Sequence, residues 1–193
     1  IPYDLYLKTE KESSAAKISP ILKNKKPNDW VISSEKSISW SESGQRMFFG
    51  IAPLLPVQDT LLMDEEIVNV EIWRHDSPRL YTQMEATVEN DKKKAYTVMY
   101  DLDSLQVMQI ETPDADRSIV SAKGDGRFIL QLRALPYQME VTWTGESRHD
   151  FILHDTKANT SSVIITGESG NPLFSPTGRY VYSLEQSFNN STL

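Results

Sequence analysis

The sequence predicts an all-β protein: a partial β-propeller holding about three blades' worth of four-stranded antiparallel sheet, two blades whole and two half. Three observations predict it. One hairpin pattern is written three times, a second hairpin type alternates with it, and the copies are spaced by about one propeller blade. The first pattern is clearest in Ile38-Ser39-Trp40-Ser41-Glu42-Ser43-Gly44-Gln45-Arg46-Met47-Phe48-Phe49-Gly50, a strand, a Ser/Gly turn and a second strand entered through a basic residue. Residues 118–130 and 172–182 repeat its core: Ser, a turn ending in Gly, an Arg within two residues, then an apolar run. A unit written three times is better evidence of architecture than any single motif.

The second type pairs two short strands around a polar turn. It reads Tyr96 to Asp103, a turn at Ser104, then Val107 to Ile110, and again Phe151 to Asp155, a turn over 156–160, then Ser162 to Ile165. An earlier copy joins Tyr3–Thr9 to Ala15–Ile18 across a polar stretch. The two types alternate over 3–18, 38–51, 95–110, 118–133, 150–165 and 172–185. Gly126 to Gly178 spans 52 residues and Asp101 to Asp155 spans 54. A period of about 50 residues with four strands in it is the mark of a propeller blade.

Met47-Phe48-Phe49, Phe128-Ile129-Leu130 and Tyr180-Val181-Tyr182 are continuous apolar runs. Strands buried on both faces between neighbouring sheets read this way. The competing architecture is an antiparallel β-sandwich. The chain opens with the second half of a blade and closes with the first half of another, twelve strands in all. Closed propellers use about four to eight blades. Residues 1–193 are therefore expected to be one segment of a larger propeller. Its terminal edges would be covered by a partner, or would join copies of the chain into an oligomer.

Composition narrows the partners. The net charge of -7 argues against nucleic acid, which needs a basic face. No apolar run approaches the roughly 18 residues of a membrane span. The chain has no cysteine, so no disulfide. It begins with Ile, not Met, which points to a longer parent chain.

Gly44 and Gly126 lie 82 residues apart, about 30 more than the period. The excess falls in residues 52–90, an insertion within one blade. Pro53 and Pro56 break regular structure there. Val68, Val70 and Ile72 alternate as in a strand, and residues 80–93 suit a short helix with Leu80, Met84 and Thr87 on one side. A long loop on a repeat scaffold is where specificity resides. Asp64-Glu65-Glu66 is the most acidic point, with Arg74, His75 and Arg79 just beyond. Facing inward, these carboxylates would hold a cationic group such as a peptide amine. Otherwise they form a solvated loop or pair with the arginines.

The residues assign no catalytic group, metal or cofactor. The nearest string to a hydrolase nucleophile elbow, Gly167-Glu168-Ser169-Gly170-Asn171, fails at its last position. His149 and His154 are five apart on a strand, so they point to opposite faces and cannot share a metal. His75 beside Asp76 fits an exposed turn better than a catalytic pair. Asp101, Asp103 and Asp155 read as turn residues. Trp30, Trp40, Trp73 and Trp143 are dispersed and read as packing between blades.

The strings Trp40 to Gly50 and Phe174 to Tyr182 resemble the TolB-type propeller repeat, aromatic-Ser-Pro-Asp-Gly-Lys/Arg-aromatic. That repeat builds the N-terminal propeller of the prolyl oligopeptidase and dipeptidyl peptidase family of serine peptidases. Phe49-Gly50-Ile51-Ala52-Pro53, Asp59-Thr60-Leu61-Leu62, Glu71-Ile72-Trp73 and Asp76-Ser77-Pro78-Arg79-Leu80 with Gln83 are similar to the propellers of its large bacterial members. The resemblance implies a non-catalytic segment that gates and orients peptide substrates. It implies as partners the rest of the propeller and a C-terminal α/β-hydrolase domain, which this chain lacks. It implies a periplasmic or secreted setting, with the cytoplasm left open. It implies a substrate-binding role for Glu65 and Glu66, with Arg79 beside them. The alternative is a TolB-like binding propeller with no associated hydrolase. A third reading is an independent enzyme using Asp64, Glu65 and His75.

Overall fold

The computed structural model describes residues 3–8, 10, 13–18, 29–55, 74 and 77–184. Among these, four antiparallel sheets follow one another in chain order. A first hairpin joins β1 (Tyr6–Leu7) to β2 (Ala16–Lys17). The first large sheet holds β3 (Trp30–Ser33), β4 (Ser39–Trp40), β5 (Arg46–Pro53), β6 (Tyr96–Asp101) and β7 (Gln106–Gln109), in the order β3-β5-β6-β7 with β4 also on β5. The second is a four-stranded meander of β8 (Ala115–Val120), β9 (Phe128–Arg133), β10 (His149–Asp155) and β11 (Thr160–Glu168). A last hairpin pairs β12 (Leu173–Phe174) with β13 (Val181–Tyr182). The fold is all-β with the half, whole, whole, half order of a partial propeller.

β5 and β9 show why the apolar runs are continuous. Alternate side chains of a strand point to opposite faces, and both faces are covered. Met47, Phe49 and Ile51 pack with Leu5, Ile18, Trp30 and Ile32 toward the first hairpin. Phe48 turns the other way and meets Met99, Met108, Ile110 and Ile129 between the two large sheets. Leu130, Leu132 and Phe151 face Phe174 and Val181 of the last hairpin. Each such side chain contributes about 1.5–3 kcal/mol through burial. Three apolar clusters therefore separate four sheets.

The first strand of the first large sheet is split, a detail not visible in the residue pattern. β3 covers the end of β5 at Trp30↔Pro53, and β4 covers its start at Trp40↔Met47. Trp30 packs on Tyr96 with ring centroids 4.9 Å apart. Trp40 and Trp143 do not pack as expected. Trp40 sits on the short edge strand β4 and Trp143 on a surface helix, and both are exposed. Trp73 lies outside the described residues. β11 is a nine-residue outer strand with Val163, Ile164 and Ile165 all exposed.

At one end of the sheets the Ser/Gly turns stack. Gly44, Gly124 and Gly178 donate to Ser41, Ser121 and Ser175 carbonyls at 3.0, 2.9 and 2.8 Å, each with positive φ. That backbone conformation suits glycine. The hydrogen bonds make Gly124 the counterpart of Gly44, where the residue pattern pointed to Gly126. Arg46 Nη1 donates to the Gly126 and Gly124 carbonyls at 2.6 and 3.2 Å, while its Nε reaches Asp101 at 3.3 Å. Ser43 donates to Asp125 through N and Oγ, and Lys123 pairs with Glu42. Asp101 and Asp155 are the turn residues expected, accepting from Ser104 and from Lys157 and Ala158.

The opposite end carries helices. α1 (Tyr81–Lys92) lies between β5 and β6, and α2 (Gln138–Thr144) between β9 and β10. α1 falls where the sequence predicts a helix; the strand expected over 68–72 lies outside the described residues. α2 was not foreseen. Pro136 opens its preceding turn at Leu135–Tyr137, and Gly145 in the left-handed region ends it. Neither helix buries a residue.

Candidate functional site

α1 and α2 occupy the corresponding connection of successive sheets, second strand to third, so they emerge from the same end. Polar contacts hold α1 there. Arg79 donates to Thr87 Oγ1 at 3.0 Å and Asp91 Oδ2 at 2.8 Å, and the Gln83 carboxamide accepts from the Leu80 amide. The Arg79 hydrogen bond, against a smaller opposing effect of burial, holds the Asp91 carboxyl below its ordinary range. α2 is tied to its sheet by Asp150, which is almost fully buried. Asp150 accepts from Arg133 Nη2 at 2.6 Å, from the Tyr137 hydroxyl and from the Gly167 amide. Burial would raise this carboxyl, but the three hydrogen bonds outweigh it and the net shift is downward.

Three adjoining clefts lie around these helices, and Arg79 lines all of them. The widest, about 670 Å³, is bordered by Arg79, Asp116, Arg117, Gln138, Arg148 and His149. Arg117 is steadied by Asn171 at 2.8 Å and Arg148 by Glu146 at 3.2 Å. His149 Nε2 stands 3.5 Å from Asp116 Oδ2, and its Nδ1 is buried without a hydrogen bond. A second cleft of about 330 Å³ is more apolar, with Leu80, Met84, Met139 and Trp143 around it. The third, about 280 Å³, runs past Lys94 and Tyr96. Against a chain of net charge -7, three arginines and a histidine face one carboxylate across the widest cleft. Guanidinium groups of this kind recognise carboxylates and phosphates.

Of the residues the sequence singled out, Arg79 is here. Glu65, Glu66, Asp64 and His75 lie outside the described residues. Arg117, Arg148 and His149 carried no sequence signal as a group, because they come from β8, from the connection into β10 and from the start of β10. Among the described residues no three His, Cys, Asp or Glu side chains gather as metal ligands. His154 is buried, with Nε2 3.0 Å from Gln131 Oε1, and belongs to the interior of the second sheet. No helix among the described residues is long and apolar enough to cross a membrane.

No protein-family model and no curated protein matches the chain. Among solved structures it is similar to TolB from Acinetobacter baumannii, at 13% identity and a TM-score of 0.29, over 91% of this chain and 41% of that one. The chain thus spans well under half the length of that structure.

Proposed function

We propose that the chain is a binding segment of a propeller-type protein, and that the helical end of its sheets takes a peptide bearing a carboxylate. The observation that carries this reading is Arg79. It borders a polar cleft with Arg117, Arg148 and His149 on one side and an apolar cleft with Met84, Met139 and Trp143 on the other. An extended amphiphilic ligand crossing Arg79 would place its anion among the guanidiniums and an apolar side chain against Trp143. Exposed aromatic and methionine side chains suit such adaptable contacts. Trp143 supplies the test. Short peptides with a free C-terminal carboxylate should shift its emission saturably, and Arg148→Ala should weaken binding about tenfold. Equal binding of the C-terminally amidated peptides would exclude the carboxylate.

The repeat resemblance supports a finer reading, in which the bound peptide is on its way to a serine peptidase domain of the same parent chain. The remaining blades and the hydrolase domain would then be its partners, and a periplasmic or secreted setting its place. Labelling the full-length parent with a fluorophosphonate tests that reading. A labelled serine beyond Leu193 is its expected result, and an unlabelled, folded parent leaves the binding propeller alone.

A further inference from the structure

The split in the first strand of the first large sheet borders a cavity. β3 ends at Ser33 opposite Gly50 and β4 begins at Ser39 opposite Phe48, so residues 34–38 loop out beside Phe49 alone. That loop lays Lys36 over the face turned to the second large sheet. Its stem crosses Gly50, where a Cβ would stand 2.6 Å from Lys36 Cβ, and its ammonium donates to Glu111 Oε2 at 2.6 Å. Between the loop and β8 lies a cavity of about 330 Å³, the size of a small-molecule site. Phe48 and Val120 are its apolar walls, and Lys36, Ser39, Thr97 and Arg117 its polar ones. These residues belong to two successive complete sheets and the loop within one.

Register turns Ser39 and Thr97 toward this space. Ser39 pairs with Phe48 and Thr97 with Gly50, on the face where Phe48 meets Ile129. Thr97 is 6% exposed, and its Oγ1 is buried with no hydrogen-bond partner among the described residues. Its backbone is satisfied: the amide donates to Glu111 Oε2 at 2.7 Å, and the carbonyl accepts from Ile110 at 2.9 Å. An unpaired buried hydroxyl weakens a fold, and valine has the same outline without it. A ligand that meets the hydroxyl gives threonine its reason here.

The other polar groups are chiefly donors. The Lys36 ammonium has three N–H groups, and among the described residues Glu111 takes one of them. Glu111 is itself filled, since Ser118 donates to Oε1 at 2.7 Å while Lys36 and the Thr97 amide share Oε2. Arg117 bonds the neutral Asn171. Donor-rich walls with spare cationic N–H groups suit an anion.

We propose that this cavity binds a small organic anion bearing hydroxyl groups, a hydroxy acid or sugar acid, with its carboxylate on Lys36 and a hydroxyl on Thr97 Oγ1. The site is separate from the peptide cleft at the helical end. Arg117 borders both, so the test leaves it unaltered.

The probes are D-gluconate, L-malate and glycolate, titrated into the intact chain by calorimetry. Acetate, without the hydroxyl, and glucose, without the charge, are the controls. Saturable binding of at least one probe at millimolar concentration is expected, about tenfold tighter than either control. Thr97→Val should raise the melting temperature yet weaken that probe about tenfold, a combination that packing alone does not produce. Lys36→Gln should weaken it at least as much. The Trp143 response to peptide should be the same in both variants, which separates this site from the helical-end reading. Absence of binding by all three probes, equal binding of acetate or glucose, or a Thr97→Val chain that binds as the unaltered one does overturns the proposal.

Discussion

The two ends of the stacked sheets are built differently. At the turn end, each Ser/Gly turn repeats the last, and the first hydrogen-bonds to the second: Arg46 to the Gly124 and Gly126 carbonyls, Ser43 to Asp125. At the helical end, α1 and α2 share neither length nor sequence, bury no residue and leave clefts between them. The contrast teaches where each task sits. The bonds that recur from turn to turn, glycine amide to serine carbonyl, stay at the turn end, and the end free of them carries the clefts around α1 and α2.

That division makes stability respond at one end and binding at the other. The largest loss of stability is expected from Arg46→Ala. It removes two charge-assisted bonds to carbonyls and the pairing of Asp101, costing about 2–4 kcal/mol by chemical denaturation. Gly124→Ala should cost about 1–3 kcal/mol. Its φ is +98°, and a Cβ would stand 3.0 Å from Phe48 and Ser41. Arg79→Ala, at the helical end, should change stability by about 1 kcal/mol or less yet abolish the Trp143 response to peptide. An Arg79→Ala chain as unstable as Arg46→Ala would erase the contrast.

The pH profile sharpens it with smaller effects. Burial holds His154 below the usual histidine range, so the fold keeps it neutral. Its contribution is full above about pH 6.5 and declines as pH falls below that value, by at most about 1.4 kcal/mol per unit. His154→Gln should flatten that part of the profile. The carboxylates come next. Arg127, then the Ala158 and Lys157 amides, outweigh burial and bring Asp155 down to about 2. Glu111 would be raised by burial, but Lys36, Ser118 and Thr97 hold it low. Depressed carboxylates stabilise above their unfolded pKa, so a second loss is expected from about pH 4 down to pH 2. A melting temperature that stays level from pH 7 to pH 3 would remove both assignments.

The same contrast decides what was legible in the sequence. The turn end was read from residues, because Ser41, Gly44 and their counterparts make backbone bonds that recur whenever the turn recurs. Even there, the place of Arg46 was not distinguished from that of Arg127. Both lie within two residues of a glycine, but the strand register sets them one rung apart, and of the two Arg46 reaches the next turn. The helical end was half legible. The spacing of Leu80, Met84 and Thr87 foretold α1, and Arg79 was noticed as a neighbour of acidic residues. Arg117, Arg148 and His149 meet Arg79 only because two sheets stack, and no local pattern encodes that. Trp143 was read as packing because a lone tryptophan looks alike in sequence whether the next layer covers it or not.

The three separate apolar clusters carry a consequence for motion. Each sheet touches only its neighbours, so the interior behaves as a row of coupled units and not as one core. Opening should proceed from the two terminal hairpins inward. In hydrogen exchange the amides of Tyr6–Leu7 and Val181–Tyr182 should be replaced first, and those of β5 and β9, clasped on both faces, last.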